Sequence, residues 1–317
     1  MTKIGHSFVG LAVTLASCLV SHIAYALTDH SWVSSTGSGS TCTRALPCAD
    51  FFTAFNATNA GGVISVIDSG EYGNLNVTKS IIVRAEAVDG GSTAGVSAGG
   101  GVLLNVAIAA TDVVSIEGLR FVGAGINIGS GGLVFIRDCV VENNDGFIGY
   151  GIRIQSTGAS RVVVSDTTVA NNRNSSGGAG IWVIPSSGGT AQVTLNHVLV
   201  EGNAFGIAVD GSSSTGGINL TIADSMVASN RDDGIIAVTQ SGAAPIGVYV
   251  KNTKSVNNNI GIRSIGPNAT VRVDGSSAIG NGTGLSFSGG GVLLSAGNNV
   301  IEANATNGVF SGPLTLK

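Results

Sequence analysis

Residues 193–209 read VTLNHVLVEGNAFGIAV, and after a Ser- and Gly-rich stretch residues 220–238 read LTIADSMVASNRDDGIIAV. The two stretches share one plan. Each opens with three residues of alternating apolar character, places an Asn ten positions after the first of them, and follows it with Gly and Ile. Outward from this pair the plan recurs. Val134 leads to Asn144, Val162 to Asn172, Val193 to Asn203, Leu220 to Asn230, Val248 to Asn258, Val271 to Asn281 and Leu294 to Asn304. The Asn residues are spaced 28, 31, 27, 28, 23 and 23 positions apart. The Gly marker follows as Gly151-Ile152, Gly180-Ile181, Gly261-Ile262, Gly284-Leu285 and Gly308-Val309, and a weaker unit runs from Val114 to Ile126 with Ala124 where the Asn would stand.

A fixed offset within each unit and a variable distance between units describe an invariant core joined by variable loops. The apolar period is two rather than three to four, so the elements are strands, not helices. Units of this length fit one turn of a coil, with successive turns paired about 4.8 Å apart. Val134 and Ile136, or Val162 and Val164, then point inward and pile into aliphatic columns. Their neighbours Phe135 and Val163 point out. The Asn column fits the same stacking, because each amide donates to one neighbour and accepts from the other. A buried Asn without those partners would cost roughly 1–3 kcal/mol. The ladder Asn144, Asn172, Asn203, Asn230, Asn258, Asn281 and Asn304 is therefore read as structural.

Composition agrees with an all-β chain. Of 317 residues 49 are Gly, and charged residues make up only 11%, against about 25% in ordinary soluble domains. The net charge is −4 and no basic run occurs, which excludes nucleic acid as a partner. Residues 1–26 have the form of an export signal: Lys3, an apolar run over 8–20, and Ala24-Tyr25-Ala26 as the cleavage pattern. The run is too short to span a membrane. Leu15-Ala16-Ser17-Cys18 offers the alternative of a lipid anchor on Cys18. The chain is thus divided into a signal (1–26), an N-terminal segment (27–60) and the coil (61–317). Cys42 and Cys48 flank a short Pro-containing loop and are expected to form a disulfide in an oxidising compartment. Cys139 falls on a strand pattern as a small buried residue.

The units VVVSDTTVANN at 162–172 with GIWV at 180–183, and the two stretches quoted first, resemble the repeats of the pectate-lyase-like superfamily. So does the opening CTRALPCADFFTAFNATNAGGVISVIDSGEYGNLNVTKSIIVRAEA at 42–87. The resemblance extends from Cys42 to the C-terminus. It implies a single-stranded, right-handed parallel β-helix with a short N-terminal capping helix around 49–56, whose Phe51, Phe52 and Phe55 would cover the first turn. Residues 289–317 would close the other end. It implies no single activity, since this fold carries lyases, hydrolases, epimerases and adhesins.

Two clusters are candidates for function. The loops 145–150 and 173–179 are longer than their equivalents, and Arg153 and Trp182 share an outward column just beyond them. Phe147, Tyr150, Arg153, Arg173 and Trp182 could form an aromatic and cationic shelf for sugar rings; the plainer reading is an Arg guanidinium lying over the Trp182 indole. Four residues after each strand start stand Asp138, Asp166, His197, Asp224 and Asn252. Asp166, His197 and Asp224 would be the catalytic candidates, and the same carboxylates could hold calcium. The plainer reading is that Asp and Asn cap the turn that follows each strand. Arg231-Asp232-Asp233-Gly234 superficially resembles the paired Asp of polygalacturonase-like hydrolases, but the further carboxylates such sites need are missing from adjacent units. No cofactor motif is present and no zinc site is expected. The leading expectation is an exported, non-enzymatic protein that binds carbohydrate or another cell-surface polymer. A polysaccharide lyase or glycoside hydrolase acting on an acidic polysaccharide, and a structural or adhesive envelope protein, are the alternatives.

Overall fold

The computed structural model describes residues 27–86, 94–97, 102–146, 149–173 and 177–315. Among these residues the alternating patterns form three parallel sheets of twelve, ten and nine strands, wound into a right-handed solenoid of about ten turns. One turn passes through Ala159–Ser165, Thr168–Ala170 and Ala179–Val183, contributing one strand to each sheet. Pairing is in register. Val134, Val162, Val193, Leu220, Val248 and Val271 stand over one another in the twelve-stranded sheet and are buried. Each such side chain contributes about 1.5–3 kcal/mol by leaving water, and like shapes stacked on like leave little void between turns. At one turn the register differs from the sequence reading. Leu293, not Leu294, stacks on Val271, while Leu294 pairs with Arg272. The offset residue is absorbed at the following corner, where Asn298 and Asn299 accept the Gly275 and Ser276 N–H groups of the preceding turn through their side-chain oxygens.

Both short corners of the coil are made by one residue in the left-handed conformation. Between the twelve- and ten-stranded sheets it is Asp138, Asp166, His197, Asp224 or Asn252, with φ between 45° and 52°. Between the ten- and nine-stranded sheets it is the residue before the ladder Asn: Asn143, Asn171, Gly202, Ser229 or Asn257. Asn, Asp and Gly tolerate this region because a small or locally bonding side chain lessens the clash of Cβ with the backbone. The ladder Asn lies just inside the second corner. Asn203 Oδ1 accepts from the Asn172 backbone N–H at 2.9 Å and from Asn172 Nδ2 at 3.2 Å, and Asn203 Nδ2 donates onward to Asn230 Oδ1 at 3.2 Å. The same contacts repeat to Asn258, Asn281 and Asn304, where the chain of amides ends on Asn307 Oδ1 at 3.0 Å. Ala124 occupies the equivalent place in the earlier turn and is fully buried.

The N-terminal end is closed in two layers. Strand Thr28–Val33 pairs with Thr58–Val66 ahead of the first full turn. The loop bridged by the Cys42–Cys48 disulfide covers its edge, with Trp32 N–H donating to Cys42 O at 2.8 Å and Cys48 N–H to Trp32 O at 2.9 Å. The helix Phe51–Ala57 starts at Asp50, whose carboxylate accepts the Thr53 N–H at 2.7 Å. Phe51 is buried against Tyr72, and Lys79 lies 4.3 Å over the Phe55 ring while bonding the last helical carbonyls. Phe52, expected on the covering face, is instead 72% exposed, because one residue on from Phe51 the helix has turned it to solvent. No described helix is long and apolar enough to cross a membrane. The signal segment, with Cys18, lies outside the described residues, as does Phe147.

Candidate functional site

The first candidate cluster resolves into corner geometry. Asp166, His197 and Asp224 are the left-handed residues of three successive corners, and the side chains of Asp166 and His197 are more than half exposed. His197 Nδ1 is 3.9 Å from Asp166 Oδ1 and 2.9 Å from its neighbour Asn196 Nδ2. Asp224 accepts from Asn252 Nδ2. His197, Asp224 and Asn252, but not Asp166, line an open hollow of about 670 Å³ with Ser225, Met226 and Lys254. Its form is that of a strand-end corner repeated at each turn, open to solvent on its outer side. Among the described residues no group of three or more His, Cys, Asp or Glu gathers around a point that could hold a metal ion. Just inside this corner runs a row of buried small groups. Ser225 Oγ accepts the Val198 N–H and donates to Ala223 O, as Thr167 does for Cys139 N–H and Ser165 O. Cys139 sits in this row, its thiol 3.1 Å from Arg137 O and pushed up to about 12 by burial.

The second cluster lies on the outer face of the nine-stranded sheet. There alternation turns Ile181 and Val183 fully inward and leaves Trp182 facing out. In register above Trp182 stand Ala208 and Ile236, both apolar although both face away from the core. Phe205, the first residue of strand Phe205–Asp210, leans onto the same patch. Together with Gly177, Gly178, Ala179, Asp210 and Val238 they line a cleft of about 230 Å³. The small side chain of Ala208 makes the floor between the two aromatic walls, and the sole charge in the lining is the Asp210 carboxylate, itself fixed by the Ser212 N–H at 2.8 Å.

Two flanking pairs bound this cleft. On the turn before Trp182, Arg153 is paired to it strand to strand, yet its guanidinium lies 4.6 Å over the Tyr150 ring and its Nε donates to Asn127 Oδ1 at 2.9 Å. The expected Arg–indole stack is therefore an Arg–phenol stack, and Trp182 packs instead on Ala179, Ala208 and Ile236. Tyr150 is only 3% exposed and its hydroxyl is raised by burial. Arg173 is exposed at its corner and is not part of the cleft lining. On the far side, Arg263 follows Ile236 in the outward column, with its Nη1 3.6 Å from Asp233. The Asp233 side chain is 3% exposed. Burial pushes its carboxyl up to about 6; the Arg263 guanidinium pulls it partly back and Asp232 adds to the rise.

Thus the structure assembles the cleft from Trp182, which the sequence singles out, and from Phe205, Ala208, Ile236 and Asp210, which it does not. The missing signal was present: two outward positions in adjacent strands carry apolar residues where a solvated face calls for polar ones.

Beside this geometry stand the comparisons with known proteins. A family model described as right handed beta helix region matches residues 105–222. No curated protein matches the chain. Among solved structures it resembles pectate lyase Pel9A at 14% identity, with 92% of this chain and 80% of that one covered and a TM-score of 0.50. A rhamnogalacturonan lyase aligns at 11% identity over 83% of this chain and 84% of that one, TM-score 0.39. A GH136 lacto-N-biosidase from Eubacterium ramulus aligns at 8% identity over 90% and 66%, TM-score 0.32. With its ladder, its three sheets and its capped first turn, the chain is a right-handed parallel β-helix protein of the pectate-lyase-like fold.

Proposed function

We propose that the protein binds carbohydrate in the cleft walled by Trp182 and Phe205, with no chemistry of its own. The observation that carries this reading is the outward-facing apolar cleft itself, an aromatic pair around a small-residue floor with one carboxylate at its edge. The half-buried indole and phenyl ring still offer the cleft faces on which the apolar side of a sugar ring stacks, while Asp210 offers an acceptor to a hydroxyl. That a pectate lyase shares the fold accords with a glycan ligand. The corner residues Asp166, His197 and Asp224 do not favour a lyase or hydrolase, because each is exposed and turned by its own backbone rather than converged on a shared point. The disulfide Cys42–Cys48 accords with an oxidising compartment outside the cytoplasm, and we read the protein as exported.

The test is calorimetric titration with a panel of soluble oligosaccharides, using wild type, Trp182→Ala and Phe205→Ala. Loss of a hot-spot aromatic costs about 2 kcal/mol or more of binding, hence about a thirty-fold drop in affinity. Melting temperatures should fall only modestly, since Trp182 packs on the small outer cluster of Ala179, Ala208 and Ile236 and not in the core. Undiminished binding in Trp182→Ala would remove the cleft from the account. Release of new reducing ends or unsaturated uronates from any polymer would replace binding by catalysis.

A further inference from the structure

The cleft does not end at Trp182. Its column continues toward the N-terminus as Arg153, Asn127, Asn105 and Asn76, each in register with the next on the outer face of the nine-stranded sheet. These side chains are tied to one another. Arg153 Nε donates to Asn127 Oδ1 at 2.9 Å, Asn127 Nδ2 to Asn105 Oδ1 at 2.7 Å, and Asn105 Nδ2 to Asn76 Oδ1 at 3.4 Å. An outward polar side chain on a sheet ordinarily rotates freely and must be immobilised when it binds. Here the row is ordered beforehand, with rungs about 4.8 Å apart. Each amide keeps one N–H and one lone pair beyond those used in the row.

Charge narrows the ligand. The guanidinium of Arg153 is engaged by Asn127 and the Tyr150 ring, and that of Arg263 by the buried Asp233. The cleft lining carries the carboxylate of Asp210 and no cation. A chain bearing a carboxylate on every sugar would meet the Asp210 carboxylate in the cleft, with the Arg153 guanidinium held over the Tyr150 ring and that of Arg263 drawn to Asp233. Hydroxyls, by contrast, suit amides that both donate and accept.

Resting on the proposed function, we infer that the ligand is a neutral, linear glycan that lies along the solenoid axis, with one sugar in the Trp182 cleft and the next ones on the Asn127–Asn105 row. The claim is independent of which neutral sugar the chain contains.

Titrations with gluco-, manno- and xylo-configured oligosaccharides, from disaccharide to hexasaccharide, and with oligogalacturonates of equal length test it. For the neutral series that binds, affinity should climb about ten-fold or more from disaccharide to hexasaccharide as further subsites fill. Asn127→Ala and Asn105→Ala should flatten that climb, their effect growing with the length of the chain. Oligogalacturonate should bind about ten-fold more weakly than the neutral chain of the same length, and Asp233→Asn, which releases Arg263, should narrow the gap. A flat length series, or oligogalacturonate bound as well as the neutral chain, overturns the inference even when disaccharide binding still depends on Trp182. Disaccharide binding indifferent to Trp182→Ala overturns the cleft reading beneath it, and no binding to any neutral chain overturns both.

Discussion

The molecule holds two rows of amides that look alike and do different things. The inner row, from Asn172 to Asn304, lies at the second corner, largely shut off from solvent; its amides donate to one another and to carbonyls of the turn before, and accept the backbone N–H of the preceding rung. The outer row, Asn76, Asn105 and Asn127, stands on a sheet face with water on one side. Both have the spacing of the coil and both chain amide to amide. What separates them is what replaces a missing partner. In the inner row nothing can, so each Asn is held by stability; in the outer row water can, so hydrogen bonding there is available to a ligand.

The sharpest way to break this contrast is to remove one rung of each. Asn203→Ala strips an acceptor from both the Asn172 N–H and Asn172 Nδ2, and a donor from Asn230 Oδ1. The Asn172 N–H then has no acceptor, while Asn172 Nδ2 keeps Val141 O and Ala170 O and Asn230 Oδ1 keeps the residue-203 N–H; at about 1–3 kcal/mol for a buried unsatisfied group, denaturant titration should show a loss of about 2 kcal/mol. Asn127→Ala should change stability by no more than about 0.5 kcal/mol. Equal costs would abolish the distinction between the rows.

A second test compares the laddered turns with the ones before them. Ahead of Ala124 the described corners carry no ladder Asn, and the end is held instead by the disulfide loop over strand Thr28–Val33. Replacing Cys42 and Cys48 with Ser should cost about 2 kcal/mol for so short a loop. Hydrogen exchange should then show strands Thr28–Val33 and Thr58–Val66 opening before those beyond Asn144. Uniform loosening along the coil would mean that the ladder adds no local stability.

A third sharpens the edge of the cleft. The Asp233 carboxyl, raised to about 6 chiefly by burial, binds its proton more tightly folded than unfolded. Its contribution to stability is therefore fully present below the ordinary carboxylate range, near pH 4, and is lost as pH rises through about 6. Wild type should lose stability relative to Asp233→Asn over that window, and the two curves should run parallel above pH 7. Parallel curves throughout would show that Arg263 compensates the buried charge in full.

These contrasts also explain what could be read from residues alone. The ladder was legible because a buried rung admits one residue type and so repeats: Val162 to Asn172 and Val193 to Asn203 have the same offset. The fold followed from it, with a one-residue error at Leu294, where the corner Asn298-Asn299 takes in a shift that an offset count does not see. The cleft was only half legible. Trp182 announces itself, but Ala208 and Ile236 are ordinary strand residues whose meaning depends on facing outward, and Phe205 opens its strand at a place brought to the patch only by the stacking of turns. The Arg153 guanidinium went to Tyr150 because Asn127, two turns from Trp182, draws its Nε, a contact across 26 positions that local spacing does not encode.

The smallest expected effect concerns the corner column of Asp166, His197 and Asp224. Asp166 is held at φ 50°, where an L side chain costs roughly 1 kcal/mol more than Gly. Gly at this position relieves that strain but gives the unfolded chain more freedom to lose, a penalty of about 0.5–1 kcal/mol. The two nearly cancel, and the only partner given up is an exposed His197 at 3.9 Å, a contact of little worth in water. Asp166→Gly should therefore leave stability within about 0.5 kcal/mol of wild type and glycan binding unaltered. By contrast Asn172→Gly, six residues on, should approach the cost of Asn203→Ala. If Asp166→Gly instead costs as much as a ladder rung, or abolishes binding, then the exposed corner is not a turn repeated at each coil but a second working face of the protein.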